Sequence, residues 1–553
     1  MLRWVSVSSI WLYSACLATA ASVALSPVID LGYAKIQGAF NATDDVTEFL
    51  GIRFAAPPVG KLRFQAPRKP LQQQGIQVAD VEAPECPQGT IGIEANNPFQ
   101  GLTRRAMNTT EIEDCLFLNV HVSGKITPGA NMPVVFWIHG GGYADGGAVG
   151  FDGSDLIREA GGGIVAVEVQ YRLGLFGTLS LVPHVLLLFI DSIEGFIPGQ
   201  EIKKNGALNL GLLDQNAALE WVQSFIHLFG GNPAHVTIWG ESAGAGSVLH
   251  HIVAHRGNTQ PPLFLQSMSS SLAVLNEYDF DDPIPEFLFS EVARLSGCSN
   301  ATNVFDCLID VPASTLENVN NEILTSGFFG TFLFIPVVDG DFIVERPMAT
   351  LERGTVNGHG LLAVTNQFEG TIFVSPTLAA NLTLAQYVAQ LVPQFNSTQV
   401  QTVVNLYENA FDGTLNQVIT MMTDSIFVCP THIMMSAFPK NSRKGEFGIP
   451  PGTHGSDVVY YFPGNSTPPF ANPQFDASFA GAFLGFAKFG DPNRHPVSTI
   501  ITPEWPLFTA ERPTEMLFNR TESFQPEINT FETDPGLLSR CAVWKELTPF
   551  IPQ

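Results

Sequence analysis

The chain has 553 residues, 45% hydrophobic and 14% charged, with a formal charge of −25 at pH 7. That is enough apolar material for a large buried core, and the length leaves room for more than one domain. The charge repels a phosphate backbone and no Lys/Arg cluster offsets it, which argues against nucleic acid as a partner.

The N-terminus reads MLRWVSVSSIWLYSACLATAAS, with one arginine, an apolar stretch, and Ala18 and Ala20 in the small-x-small spacing cut by signal peptidase. The apolar run is shorter than the about 20 residues that span a bilayer, so it predicts a signal peptide over residues 1–20, secretion, and no stable membrane insertion. Sequons at Asn41, Asn108, Asn300, Asn381, Asn396, Asn465 and Asn519 agree with export and predict a glycoprotein. Without Cys16, the cysteines left are Cys86, Cys115, Cys298, Cys307, Cys429 and Cys541, an even number that suggests full pairing in an exported chain. No C-x-x-C is present, and His251 with His255 lacks an acidic third ligand, so no metal is expected.

No linker, charge run or repeat divides residues 21–553, which we read as one domain. Val134–Ile138, Ile164–Val169, Val236–Trp239 and Leu361–Val364 are short β-branched and aromatic runs that predict central strands buried on both faces. Between them Leu213, Ala217, Trp221, Phe225 and Leu228 recur at helical spacing, and Gly230 follows as a stop. This alternation predicts an α/β fold with a large, mainly parallel sheet flanked by helices. The segment Thr178–Gly195 breaks the order: it is apolar, interrupted by Pro183 and His184, and too short and broken to span a membrane.

The stretch VTIWGESAGAGSV places Ser242 between Gly240 and Gly244, after the strand Val236–Trp239 and before a run able to form a helix. A nucleophile on a tight strand-to-helix turn needs such small neighbours. Its hydroxyl needs an imidazole base, and the imidazole needs a carboxylate to fix its tautomer. In chain order Ser, acid, His, the candidates are Glu369, directly after the strand Leu361–Val364, and His454, in a glycine-flanked loop; Asp457 is the rival acid. The oxyanion of an acyl-transfer reaction would find donors in His139-Gly140-Gly141-Gly142-Tyr143 and in the amide of Ala243.

With these motifs in place, the chain resembles the type-B carboxylesterase/lipase family, the cholinesterase-like branch of the α/β-hydrolases, and most closely its secreted fungal members. The likeness runs through Phe49-Leu50-Gly51-Ile52-Arg53-Phe54-Ala55, Glu113-Asp114-Cys115-Leu116-Phe117-Leu118-Asn119-Val120, the glycine loop, Tyr171-Arg172-Leu173-Gly174, Asn209-Leu210-Gly211-Leu212-Leu213-Asp214-Gln215 and the serine turn. The resemblance implies a Ser242–His454–Glu369 triad, an oxyanion hole of Gly141, Gly142 and Ala243, and disulfides Cys86–Cys115, Cys298–Cys307 and Cys429–Cys541. It also implies buried ion pairs Arg63–Glu113 and Arg172–Asp214, and no cofactor.

The departures are as informative. The family pattern runs from Phe176-Gly177 straight into a stretch like Phe196-Ile197-Pro198-Gly199, so Thr178–Gly195 reads as a retained intron, with a lipid-facing flap as the alternative. Phe368 replaces an acidic residue usual before the Glu, and Met268-Ser269-Ser270-Ser271 replaces a glycine-containing stretch. The loop between Cys86 and Cys115 is polar and lacks an apolar helical stripe, which favours soluble or short-chain carboxylic esters over interfacial triacylglycerol. The expected substrate is a small-molecule or lipid ester. The alternatives are an interfacial lipase of the same family and a non-catalytic cholinesterase-like binding protein.

Overall fold

The computed structural model describes residues 26–91, 112–175, 195–464, 466–495, 497 and 500–553. The signal peptide, Cys16, Asn108, Asn465, most of the Cys86–Cys115 loop and Thr178 to Glu194 lie outside the described residues.

The main sheet has eleven strands among the described residues. They are β1 (Ala39–Asn41), β2 (Val46–Arg53), β3 (Phe117–Ser123), β4 (Met132–Ile138), β5 (Val165–Val169) and β6 (Gly231–Glu241). The rest are β7 (Gln266–Ser270), β8 (Leu361–Asn366), β9 (Ser442–Phe447), β10 (Thr514–Arg520) and β11 (Pro526–Glu532). The spatial order is β11-β10-β9-β8-β7-β6-β4-β5-β3-β2-β1. The block from β10 to β5 is parallel throughout, and antiparallel strands close both edges. A separate small sheet joins Val28–Asp30, Lys35–Gln37 and Ile76–Val78.

Strand periodicity splits the core into two layers. Val134, Phe136, Ile138, Val165, Val167, Val236, Ile238, Leu361 and Ala363 face one layer; Val135, Trp137, Ala166, Trp239, Leu362 and Val364 face the other. Because both faces are covered, these strands read as continuous apolar runs rather than alternating ones.

The expected helix is α1 (Leu210–Phe225), continued by a 3-10 turn Ile226–Phe229 and stopped at Gly230 with φ +86°. Its buried face is wider than the spacing predicts. Leu212, Leu219 and Val222 are fully buried beside Trp221, while Leu213, Ala217, Phe225 and Leu228 pack at the margin. The helix is covered on more than one side, so a single stripe underestimates its burial.

Arg172 Nε and Nη2 each donate to the Asp214 carboxylate at 2.7 Å, with both residues buried. Buried Arg63 donates through Nη1 to the carbonyls of Leu308 and Val311. The bridges are Cys86–Cys115, Cys298–Cys307 and Cys429–Cys541, the last spanning 112 residues and tying the helix Cys429–Ser436 to Pro535–Leu547. The continuous helical stretch Gly413–Ser436 is long and apolar enough to cross a membrane, but 67% of its most apolar window is packed inside the protein. It contains a π-helical turn, Thr423–Val428.

Candidate active site

β6 ends at Glu241, helix α2 (Ala243–Gly257, non-helical at Ala254, His255 and Arg256) begins one residue later, and Ser242 is the hinge between them. Its φ of +57° with ψ −123° is a conformation that costs a non-glycine residue about 1–3 kcal/mol. The surroundings enforce it: Ser242 N–H donates to Ser270 O at 3.0 Å, and Gly246 N–H donates to Ser242 O at 2.9 Å. Gly240 and Gly244 are required by contact rather than by torsion. A β-carbon on Gly240 would lie 2.4 Å from the Gly244 carbonyl carbon, and one on Gly244 would lie 2.1 Å from Ile138 O.

Three side chains separated by more than two hundred positions meet here. His454 Nε2 lies 2.7 Å from Ser242 Oγ, and His454 Nδ1 lies 2.6 Å from Glu369 Oε2. Facing a carboxylate, Nδ1 carries the hydrogen, so Nε2 is free to accept from the serine hydroxyl. Glu369 starts a 3-10 turn just after β8, is fully buried, and uses its other oxygen to accept Asn366 N–H at 2.6 Å. The His454 loop is pinned to the same turn by Phe368 N–H donating to Gly452 O at 2.8 Å. Asp457 is held elsewhere: its carboxylate accepts from Asn366 Nδ2 at 2.8 Å and Tyr461 OH at 3.1 Å.

The electrostatics around His454 are unusual for so enclosed an imidazole. Burial pulls its pKa down, but Glu241, Glu369 and Asp457 outweigh that and leave it raised. Glu241 Oε1 is 3.4 Å from Nε2, and burial pushes the Glu241 carboxyl well up despite the attraction of His454. The rings of Phe373 and Phe427 close on the imidazole at centroid distances of 5.1 and 4.9 Å.

The glycine loop follows β4 and lies against the serine turn. A β-carbon on Gly140 would sit 2.7 Å from Glu241 O and 2.9 Å from Ser242 Cβ. Gly141, Gly142 and Tyr143 have φ of +99°, +65° and +60°, and the Gly141 carbonyl is occupied by the amides of Ala144 and Asp145, both at 3.0 Å. Ala243 is the first residue of α2, where a backbone N–H has no intrahelical partner. His139, stacked on Tyr171 at 4.3 Å, is driven by burial to a pKa of about 4 and stays neutral.

Ser242 and Gly142 open on a cavity bordered by Ala273, Leu275, Phe332, Phe373 and Phe427. Leu275, Gly330, Phe332, Met422 and Ile426 also border a second, larger cavity that extends to Val388, Leu391 and Trp544. The π-helical turn supplies Ile426 and Phe427 to this wall, and such turns recur at functional sites.

Sequence reasoning missed Glu241, Phe373, Phe427 and the supporting Asn366. Glu241 sits inside the serine motif at a position the motif leaves free, and the others come together only through the fold. His251 and His255 are engaged separately, His251 Nε2 with Gln215 Oε1 at 3.2 Å and His255 Nδ1 with Asp341 O at 3.1 Å.

A family model described as the carboxylesterase family matches residues 25–186 and 194–534. The interval it skips lies inside the segment Thr178–Gly195. Secreted lipase 1 of Botryotinia fuckeliana is 30% identical over 521 residues, covering 86% of each chain. A secreted triacylglycerol lipase, LIP1, of Gibberella zeae is 28% identical, covering 87% of this chain and 86% of its own. The crystal structure of Aspergillus niger EstA superposes with a TM-score of 0.80 at 26% identity, covering 96% of this chain and 99% of that one. With the sheet, the serine turn and these likenesses together, the chain belongs to the carboxylesterase family and is a carboxylic ester hydrolase of the α/β-hydrolase fold.

Proposed function

We propose that the protein is a secreted serine esterase that works through an acyl-enzyme, with Ser242 as nucleophile, His454 as general base and acid, and Glu369 as the group that orients the imidazole. The observation that carries this reading is the unbroken path from Ser242 Oγ through His454 to Glu369, at 2.7 and 2.6 Å, on a strained turn facing an apolar cavity.

Ser242 Oγ attacks the ester carbonyl carbon while His454 Nε2 takes the hydroxyl proton. The amides of Gly141, Gly142 and Ala243 receive the oxyanion, each such donor being worth about 3 kcal/mol of barrier. The carbon–oxygen bond to the alcohol then breaks, and His454 returns its proton to the departing alkoxide. Water attacks the acyl-enzyme by the same route, His454 taking a water proton, and the acid leaves with Ser242 restored.

The walls of the cavity at Ser242 and of the neighbouring cavity that shares Leu275, Phe332 and Ile426 with it are mostly aliphatic and aromatic, which supports an ester with an apolar acyl group. The relatives named as lipases favour one further reading, an interfacial triacylglycerol lipase. Hydrolysis of p-nitrophenyl acetate, butyrate and palmitate by wild type and Ser242→Ala tests both. We expect the Ser242→Ala variant to be inactive on all three and wild type to prefer the shorter, soluble esters. A palmitate preference that rises at an oil interface favours the lipase; equal rates in wild type and variant overturn the mechanism.

A further inference from the structure

A second buried imidazole stands behind the serine turn. His250, two turns along α2 from Ser242, is 1% exposed, and Glu277, in the loop after β7, is 2% exposed. His250 Nδ1 lies 2.6 Å from Gly246 O, an atom that can only accept, so Nδ1 carries a hydrogen. His250 Nε2 lies 2.8 Å from Glu277 Oε1, off the axis of a straight hydrogen bond. The Tyr143 hydroxyl reaches the same imidazole, 3.4 Å from Nδ1, and bonds to Ser247.

Each of the three belongs to a different wall of the active site. Tyr143 directly follows Gly142 in the glycine loop, and it is a non-glycine residue at φ +60°. Such a residue persists in the left-handed region only where its surroundings over-determine it. Three contacts do so: Gly174 N–H donates to Tyr143 O at 2.6 Å, the ring packs edge-on against Phe196 at 5.0 Å, and the hydroxyl is wedged against α2. The wedge is tight, because a β-carbon on Gly246 would lie 2.6 Å from the Tyr143 hydroxyl and 2.7 Å from Ala273 O. Glu277 in turn anchors the stretch that carries Ala273 and Leu275 to the cavity, and its own N–H donates to Pro552 O.

We propose that Tyr143, His250 and Glu277 are positioning residues that lock the glycine loop to the helix behind Ser242 and to the cavity wall, and so fix the Gly142 amide where the oxyanion forms. The proposal rests on the reading of Ser242 and the glycine loop given above. It assigns no contact with substrate to any of the three. Its consequence is specific to the transition state: the ester still binds in the cavity, while the developing negative oxygen loses part of its preorganised donor set.

The test uses the full enzyme with Tyr143→Phe, which keeps the ring and removes the hydroxyl, and separately with Glu277→Gln and His250→Phe. Steady-state kinetics on p-nitrophenyl butyrate, melting temperature, and affinity for an aryl trifluoromethyl ketone, which forms a tetrahedral oxyanion on the serine, are measured for each. We expect kcat to fall about tenfold, a fraction of the loss seen when an oxyanion donor is removed outright, with KM nearly unchanged. Affinity for the ketone should fall by the same factor as kcat. If kcat and ketone affinity stay at wild-type values in Tyr143→Phe and Glu277→Gln, whatever the melting temperature does, the proposal fails. A rise in KM alone also overturns it, because that places the cluster with ground-state binding. Ser242→Ala in parallel separates the two levels: activity surviving there sinks the mechanism, whereas an inactive Ser242→Ala beside unimpaired cluster variants sinks only the positioning role.

Discussion

Of the buried imidazoles that lie against a buried glutamate, His454 and His250 flank the serine turn, and the two are held in different ways. His454 stands on a loop after β9, gives Nδ1 to Glu369, and presents Nε2 to the hydroxyl of Ser242. His250 stands on α2 and gives Nδ1 to the carbonyl one turn behind it, which leaves only Nε2 for Glu277. A histidine can relay a proton from a nucleophile only if one nitrogen faces the carboxylate and the other faces the nucleophile. The pair of residue types is therefore not the signal; the partner at the second nitrogen is.

The sharpest way to break the comparison is to replace the glutamate of each pair by glutamine. Glu369→Gln leaves the geometry in place but offers His454 the wrong tautomer, an effect of about 10⁴ in kcat, whereas Glu277→Gln should cost about tenfold. Comparable losses from the two variants, measured on one soluble ester, would erase the distinction. A second expectation concerns what braces His454. Phe427 packs on the imidazole two residues before Cys429, whose bridge to Cys541 closes a loop of 112 residues. Replacing both cysteines by serine should lower unfolding free energy by about 2–5 kcal/mol in a denaturant titration, while kcat per folded molecule is retained.

The third expectation is a pH profile. In the proposed mechanism the working base is neutral His454, so kcat/KM should fall as pH drops through its pKa. Glu241, 3.4 Å from Nε2, is among the groups that hold that pKa up. Glu241→Gln should therefore move the acid limb to lower pH, and a limb that stays in place would remove Glu241 from the electrostatics. Glu277→Gln should leave the limb where it is, which separates the two glutamates again.

The smallest expected effect comes from the segment the family match interrupts. Phe196 N–H donates to Gly174 O at 2.9 Å, so the two flanks are already joined. A β-carbon on Gly195 would lie 2.7 Å from the Leu173 backbone, so a glycine is needed at that point. Deleting Thr178 to Gly195 brings Gly177 to that place and leaves the Gly174–Phe196 bond spanning a single helical turn. Soluble expression and kcat should be at least those of the full chain, as a retained intron implies; a deletion that abolishes folding would show the segment to be part of the fold.

Ser242, Glu369 and His454, which the fold brings together, could be proposed from the sequence because each follows a strand or glycine signal in a fixed order along the chain. The central strands were legible for a related reason, since a strand buried on both faces is apolar at every position. The rest depends on contacts that no local pattern carries. The two outermost strands, Ala39–Asn41 and Pro526–Glu532, are short or half exposed and lack the apolar runs of the centre. The wide buried face of α1 follows from being covered on more than one side, which periodicity cannot report. Glu241 was in view but stood at a free position of the motif. Phe373, Phe427, His250 and Glu277 gain meaning only when residues far apart in sequence are brought side by side.

The central claim is that Ser242 is the nucleophile of an acyl-transfer site. A direct measurement is mass spectrometry of the protein after reaction with an organophosphonate ester and proteolysis. The account predicts one stoichiometric adduct on the peptide carrying Ser242, formed in step with loss of esterase activity and absent in His454→Ala. Full inactivation with the adduct on another residue, or full activity with Ser242 modified, would contradict it.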